Sequence, residues 1–153
     1  MRHVFPACLS LLLVAVLAPA APAHGQTVSL NRGGEEVTIA VGSAAMLPAD
    51  FPDDILVPPA ARLVRVEQPG DGRLLLDFTV AGTPQATADT YAAAMAVSGW
   101  TRAVVAPVDG AQVQAWEKAA RAVLVVASAQ GDGSHLRLQL LPRRAGPTDA
   151  TRR

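Results

Sequence analysis

Thr87-Ala88-Asp89-Thr90-Tyr91-Ala92-Ala93-Ala94-Met95-Ala96-Val97-Ser98-Gly99-Trp100 is the one stretch of this chain that reads as a helix. Its place among strands decides the fold. Ala88, Tyr91, Ala92 and Met95 recur at helical spacing, with Ser98 continuing the stripe, and would form one apolar face. Thr87 is a candidate N-cap, and Asp89 would lie near the positive end of the helix dipole. Gly99 can take the left-handed conformation that ends a helix, which would fold Trp100 back onto the last turn.

Outward from this helix the period changes from helical to two. Leu74, Leu76, Phe78 and Val80 fall on one face of a strand over 73–80, with Leu75, Asp77 and Thr79 on the other. A strand over 62–67 precedes it across the turn Gln68-Pro69-Gly70-Asp71-Gly72. After the helix come strands over 100–106, 112–118, 121–128 and 135–141, separated by Pro107-Val108-Asp109-Gly110, Ala119-Ala120 and Gly131-Asp132-Gly133. Most of these strands have one apolar and one polar face, which is the pattern of an antiparallel sheet covered on one side. The predicted fold is therefore α+β: an antiparallel sheet of about five to six strands, ordered strand, strand, helix, then four strands, with the helix on one face. Thr27 to Leu30 and Glu36 to Val41 alternate around Asn31-Arg32-Gly33-Gly34, so a β-hairpin is expected ahead of that unit.

Between hairpin and sheet runs Leu47-Pro48-Ala49-Asp50-Phe51-Pro52-Asp53-Asp54-Ile55-Leu56-Val57-Pro58-Pro59-Ala60-Ala61. Its prolines forbid a regular helix or a central strand. It is expected to be an extended strap with a short helical turn near Pro52 to Ile55. Phe51 and Ile55 would anchor it to the core, and its aspartates would face water.

The chain has 153 residues, with 13 basic and 13 acidic side chains and 4% aromatics. Near-neutrality argues against nucleic acid or anionic membrane as a partner. Arg2 and His3, an apolar run from Val4 to Leu17 and the small residues of Ala18-Pro19-Ala20 to Gly25 are the pattern of a secretory signal, expected to be cleaved after Ala23 or Gly25. The expected organisation is a signal at 1–25, the hairpin lead-in at 26–45, the α+β domain at 46–142 and a disordered basic tail at 143–153. Cys8 falls inside the signal, so the exported chain would lack cysteine. No second apolar run is long enough to span a bilayer. The product would be periplasmic or secreted, and monomeric.

The hairpin, the strap pattern Leu-Pro-x-Asp-Phe-Pro-x-Asp-Ile-x-x-Pro at Leu47 to Pro58, the two strands, the Tyr91…Gly99-Trp100 helix end and the closing hairpin at Glu117 to Arg121 together resemble a diffuse group of exported bacterial proteins, often lipoproteins, with no assigned activity. The resemblance covers about Thr27 to Pro142. It implies fold and compartment and carries no catalytic residues. The group's lipid-bearing cysteine has no counterpart here.

Few residues suggest chemistry. Asp50, Asp53 and Asp54 could offer oxygen ligands, but the spacing of a calcium loop is missing, and a solvated acidic strap fits better. Ser134 and His135 beside Asp132 lack a Gly-x-Ser-x-Gly turn, so a hydrolase using His135 is an outside reading. The paired arginines of the tail, Arg143-Arg144 and Arg152-Arg153, lack interleaved aromatics and read as solubilising. Trp116 could cover the core edge or lie exposed as a binding platform. Tyr91 and Trp100 read as core anchors.

These observations favour a non-catalytic module that contacts a protein or another envelope component through its open sheet face. Trp116, Arg65, Glu67, Asp77 and Arg137 are the candidate contact residues, with Thr79 and Gln139 beside them. The alternative is a carrier or sensor of a small apolar ligand held between helix and sheet. No cofactor or metal is expected.

Overall fold

In the computed structural model, residues 24–142 apart from Gly33 are described. The signal and tail expected at the two ends fall mostly outside that range. One α-helix and one antiparallel sheet make up the fold. The strands are β1 (Gln26–Arg32), β2 (Glu35–Val41), β3 (Arg62–Pro69), β4 (Leu74–Ala81), β5 (Thr101–Val108), β6 (Ala111–Lys118), β7 (Arg121–Gln130) and β8 (Gly133–Leu141), and the helix is α1 (Pro84–Val97). The strand order is β1-β2-β3-β4-β8-β7-β6-β5, every pair antiparallel.

The sheet thus has eight strands rather than five to six. The two additional strands are the hairpin, which joins the sheet instead of standing apart. Strand β2 pairs with β3 from Val37 opposite Pro69 to Val41 opposite Arg65. Glu35 ties the hairpin further by accepting a 2.8 Å hydrogen bond from the Asp71 amide in the β3–β4 turn. A two-stranded hairpin is marginal alone in water. Adding it to an existing edge satisfies one row of its backbone groups at once.

Leu76, Phe78, Leu136, Leu138, Val123, Val125, Ala127 and Trp116 form the buried face of the sheet. Helix α1 covers β6, β7 and β8 on that side, burying Thr87, Ala88, Tyr91 and Met95. The strap covers more of the same face, with Ile55 buried and Phe51 packed against the core.

The helix begins one turn earlier than its sequence suggests. Thr83, not Thr87, is the N-cap; its hydroxyl accepts from the Ala86 amide at 3.2 Å, and Pro84 opens the helix. Proline suits this position because its missing N–H would have no helical partner there. Thr87 is buried instead, and Asp89 lies beyond the first turn, where Gln85 donates to it. The other end is as expected. Gly99 has φ +77, its amide donates to Ala96 O at 3.1 Å and the Trp100 amide donates to Met95 O at 2.9 Å. These two bonds are the paired closure of a helix that ends on a left-handed glycine.

Candidate interaction face

Cross-strand register places the opposite face of the sheet in three zones. The middle is ionic. Arg65, Asp77 and Arg137 stand opposite one another across β3, β4 and β8. Arg137 donates to both Asp77 carboxylate oxygens, at 2.7 and 3.1 Å, and His135 Nε2 lies 3.2 Å from Asp77 Oδ1. Arg65 meets Glu67 at 2.5 Å. Asp77 is only 5% exposed and its carboxylate is hydrogen-bonded by these partners, while the Arg137 side chain stays 44% exposed. An ionised carboxylate in that position would be costly without hydrogen bonds to its oxygens. The Nε of Arg65 is buried with no hydrogen-bond partner.

An apolar zone lies on each side of this strip. On one side, Val28 pairs with Ile39, Leu30 with Val37, and Val41 with Arg65. Alternation carries Val28, Leu30, Val37, Ile39 and Val41 to the side away from the helix. The hairpin therefore points its hydrophobic residues away from the core, and Val28 and Leu30 are 45% and 46% exposed. On the other side, Leu124 and Val126 of β7, Val113 and Ala115 of β6, and Val104 and Ala106 of β5 are in register on the same face. Most of them are half-buried, and Val104 is exposed.

Of the contact residues expected from sequence, Arg65, Glu67, Asp77 and Arg137 share this open face, together with Thr79 and Gln139. Trp116 does not. It is 2% exposed on the helix side, and its indole N–H donates to Gln114 Oε1 at 3.1 Å. Gln114 in turn donates to the Ala88 carbonyl of the helix at 2.9 Å. Trp116 is thus a core residue whose one polar atom is satisfied internally, and it leaves the list of surface residues.

His135 lies beside Asp77, not in a Ser134 relay. The Ser134 hydroxyl donates to Gly82 O at 2.7 Å and is 1% exposed. Among the described residues, no group of three or more His, Cys, Asp or Glu stands close enough to hold a metal ion, and no helix is long and apolar enough to cross a membrane.

Of the strap aspartates, Asp50 and Asp53 are exposed. Asp54 does not face water. Lys118 Nζ reaches its Oδ2 at 2.8 Å, and Arg121 makes a two-pronged contact at 2.9 and 2.6 Å. Hydrogen bonding from Arg121, helped by Lys118, outweighs partial burial and lowers the Asp54 pKa to about 2. The Arg121 guanidinium also lies over the Trp100 ring at 5.0 Å. The Trp100 indole donates to Asp54 O at 3.1 Å, and the Tyr91 hydroxyl donates to Leu56 O. These bonds hold the strap to the helix end and to the β6–β7 turn. The signal for the clasp was two cations flanking Ala119-Ala120 and an acid in the strap, with nothing in the sequence to pair them.

Comparison with protein-family models, with curated proteins and with solved structures found no match.

Proposed function

We propose that the chain is an exported, non-catalytic interaction module that receives a protein partner on its open sheet face. The observation that carries this reading is the zoning of that face: an ion-paired strip between two apolar zones, on the side that neither helix nor strap covers. Apolar area provides most of the driving force for association, and charged groups set orientation and exclude wrong partners.

The reading is tested by Leu124→Glu, which puts a charge into one apolar zone without touching the buried layer. Capture of partner from envelope extracts is expected to fall by about tenfold or more, with an unchanged far-UV circular dichroism spectrum. Capture equal to that of the wild-type chain would refute a role for this face.

Larger hollows of about 420–450 Å³ lie away from the helix, whereas a small apolar ligand held between helix and sheet has a hollow of about 190 Å³ lined by Pro58, Val80, Ala86, Thr90 and Tyr91 where strap, helix and β4 meet. It lies at the rim of the helix–sheet layer and is smaller than the roughly 300 Å³ at which ligand pockets usually begin. Between helix and sheet, Tyr91, Met95, Phe78 and Trp116 are packed with at most 2% exposure. The interaction reading is therefore the stronger.

A further inference from the structure

We infer that β1 is a pairing edge for a second copy of this chain, forming a two-fold dimer in which β1 lies antiparallel to its own counterpart.

The two ends of the sheet differ in how their free edges are treated. Proteins normally block an exposed edge strand with proline, a bulge or charge, because its unpaired N–H and C=O groups would otherwise recruit another strand. Strand β5 carries all three. Pro107 lacks an N–H, the register shifts between Arg102 and Val104, and Arg102 supplies a charge. Strand β1 has no proline and no bulge, and its one charged residue, Arg32, stands at its last position. It pairs with β2 at seven successive positions without interruption, and Gln26 to Leu30 contain neither proline nor charge. All five of those residues are exposed.

The sequence of β1 matches itself in reverse. Around Ser29 it reads Thr27-Val28-Ser29-Leu30-Asn31, polar and apolar in strict alternation. Antiparallel pairing centred on Ser29 sets Val28 opposite Leu30 of the second copy, Leu30 opposite its Val28, and Thr27 opposite its Asn31. Such self-complementarity is what an isologous two-fold contact requires. Both apolar pairs fall on the open face, where Val28 and Leu30 are now nearly half exposed. Pairing would cover them and join the two eight-stranded sheets edge to edge. Val28 and Leu30 also belong to the hairpin zone of the open face, so the two readings are told apart by residue: Leu124→Glu tests the partner face away from β1, and cross-linking at Ser29 tests the edge.

The register gives a position-specific test. Directly opposed residues of antiparallel strands have Cα atoms about 4.5–5.5 Å apart, within disulfide range. In a Cys8→Ser background, Ser29→Cys is expected to form an intermolecular disulfide under mild oxidant about tenfold faster than Thr27→Cys, whose counterpart lies far along the strand. Light scattering on the purified wild-type protein at tens of micromolar is expected to give a dimer mass, and Val28→Glu/Leu30→Glu a monomer mass. A monomeric wild-type protein would overturn the inference. So would Ser29→Cys cross-linking no faster than Val104→Cys on the opposite edge.

Discussion

Asp54 sits where three segments meet: the strap, the end of the helix, and the turn between β6 and β7. Its carboxylate takes hydrogen bonds from Lys118 and Arg121, and its backbone carbonyl takes one from Trp100. Lys118 also donates to Ser98 O at 2.7 Å, so the same cation serves the last helical carbonyls. Because the folded-state pKa lies below the ordinary carboxylate value, the ionised clasp stabilises the fold fully above about pH 4. That contribution is lost as pH falls through about 2. Asp54→Asn is expected to cost about 1–2 kcal/mol at neutral pH, allowing for screening of the partly exposed cations. Urea unfolding should show this gap at pH 7 and its disappearance near pH 2. An equal gap at both pH values would show that the ionic part of the contact is unimportant. The anchoring roles of Ile55, Tyr91 and Trp100 were legible because large apolar side chains at regular spacing have few places to go. The ionic contact was not, since Asp54 and Arg121 are 67 residues apart and charged residues usually face solvent.

At the scale of elements, period and turn chemistry identified the helix and most of the strands. The left-handed residues at Gly99 and Gly110 sit where a glycine allowed them. Helix start was misplaced because Thr83 and Thr87 are both acceptable caps, and only the position of Pro84 decides between them. Thr83→Ala is accordingly expected to lower stability by about 1 kcal/mol, read as a lower urea midpoint at constant slope. No change would mean that Ala86 finds another acceptor. The number of strands in the sheet was misjudged for a different reason. Alternation shows which residues share a face of a strand, but not which face points to the core. In β1 and β2 the register with β3 sets Ile39 opposite Glu67 rather than Val66. The hairpin's hydrophobic residues consequently lie on the open side.

Over the whole molecule, one sheet face is filled by α1 and the strap, and the other combines part-buried ion pairs with half-exposed aliphatic residues. The ionic strip could be read from the sequence as a polar face; its apolar flanks could not, because they arise from pairing between strands distant along the chain. Trp116 was ambiguous for the same reason, and its strand turned it toward the helix. An interacting face of this kind predicts contact confined to one side of the sheet. The most direct measurement is site-specific photocross-linking in cells that produce the protein. A photoreactive residue replacing Leu124 on the open face would be compared with one replacing Val97, which is 90% exposed on the helix. Discrete adducts with another protein at position 124, and none at 97, are the expected result. Adducts at 97 alone, or equally at both positions, would contradict an interaction carried by the open face.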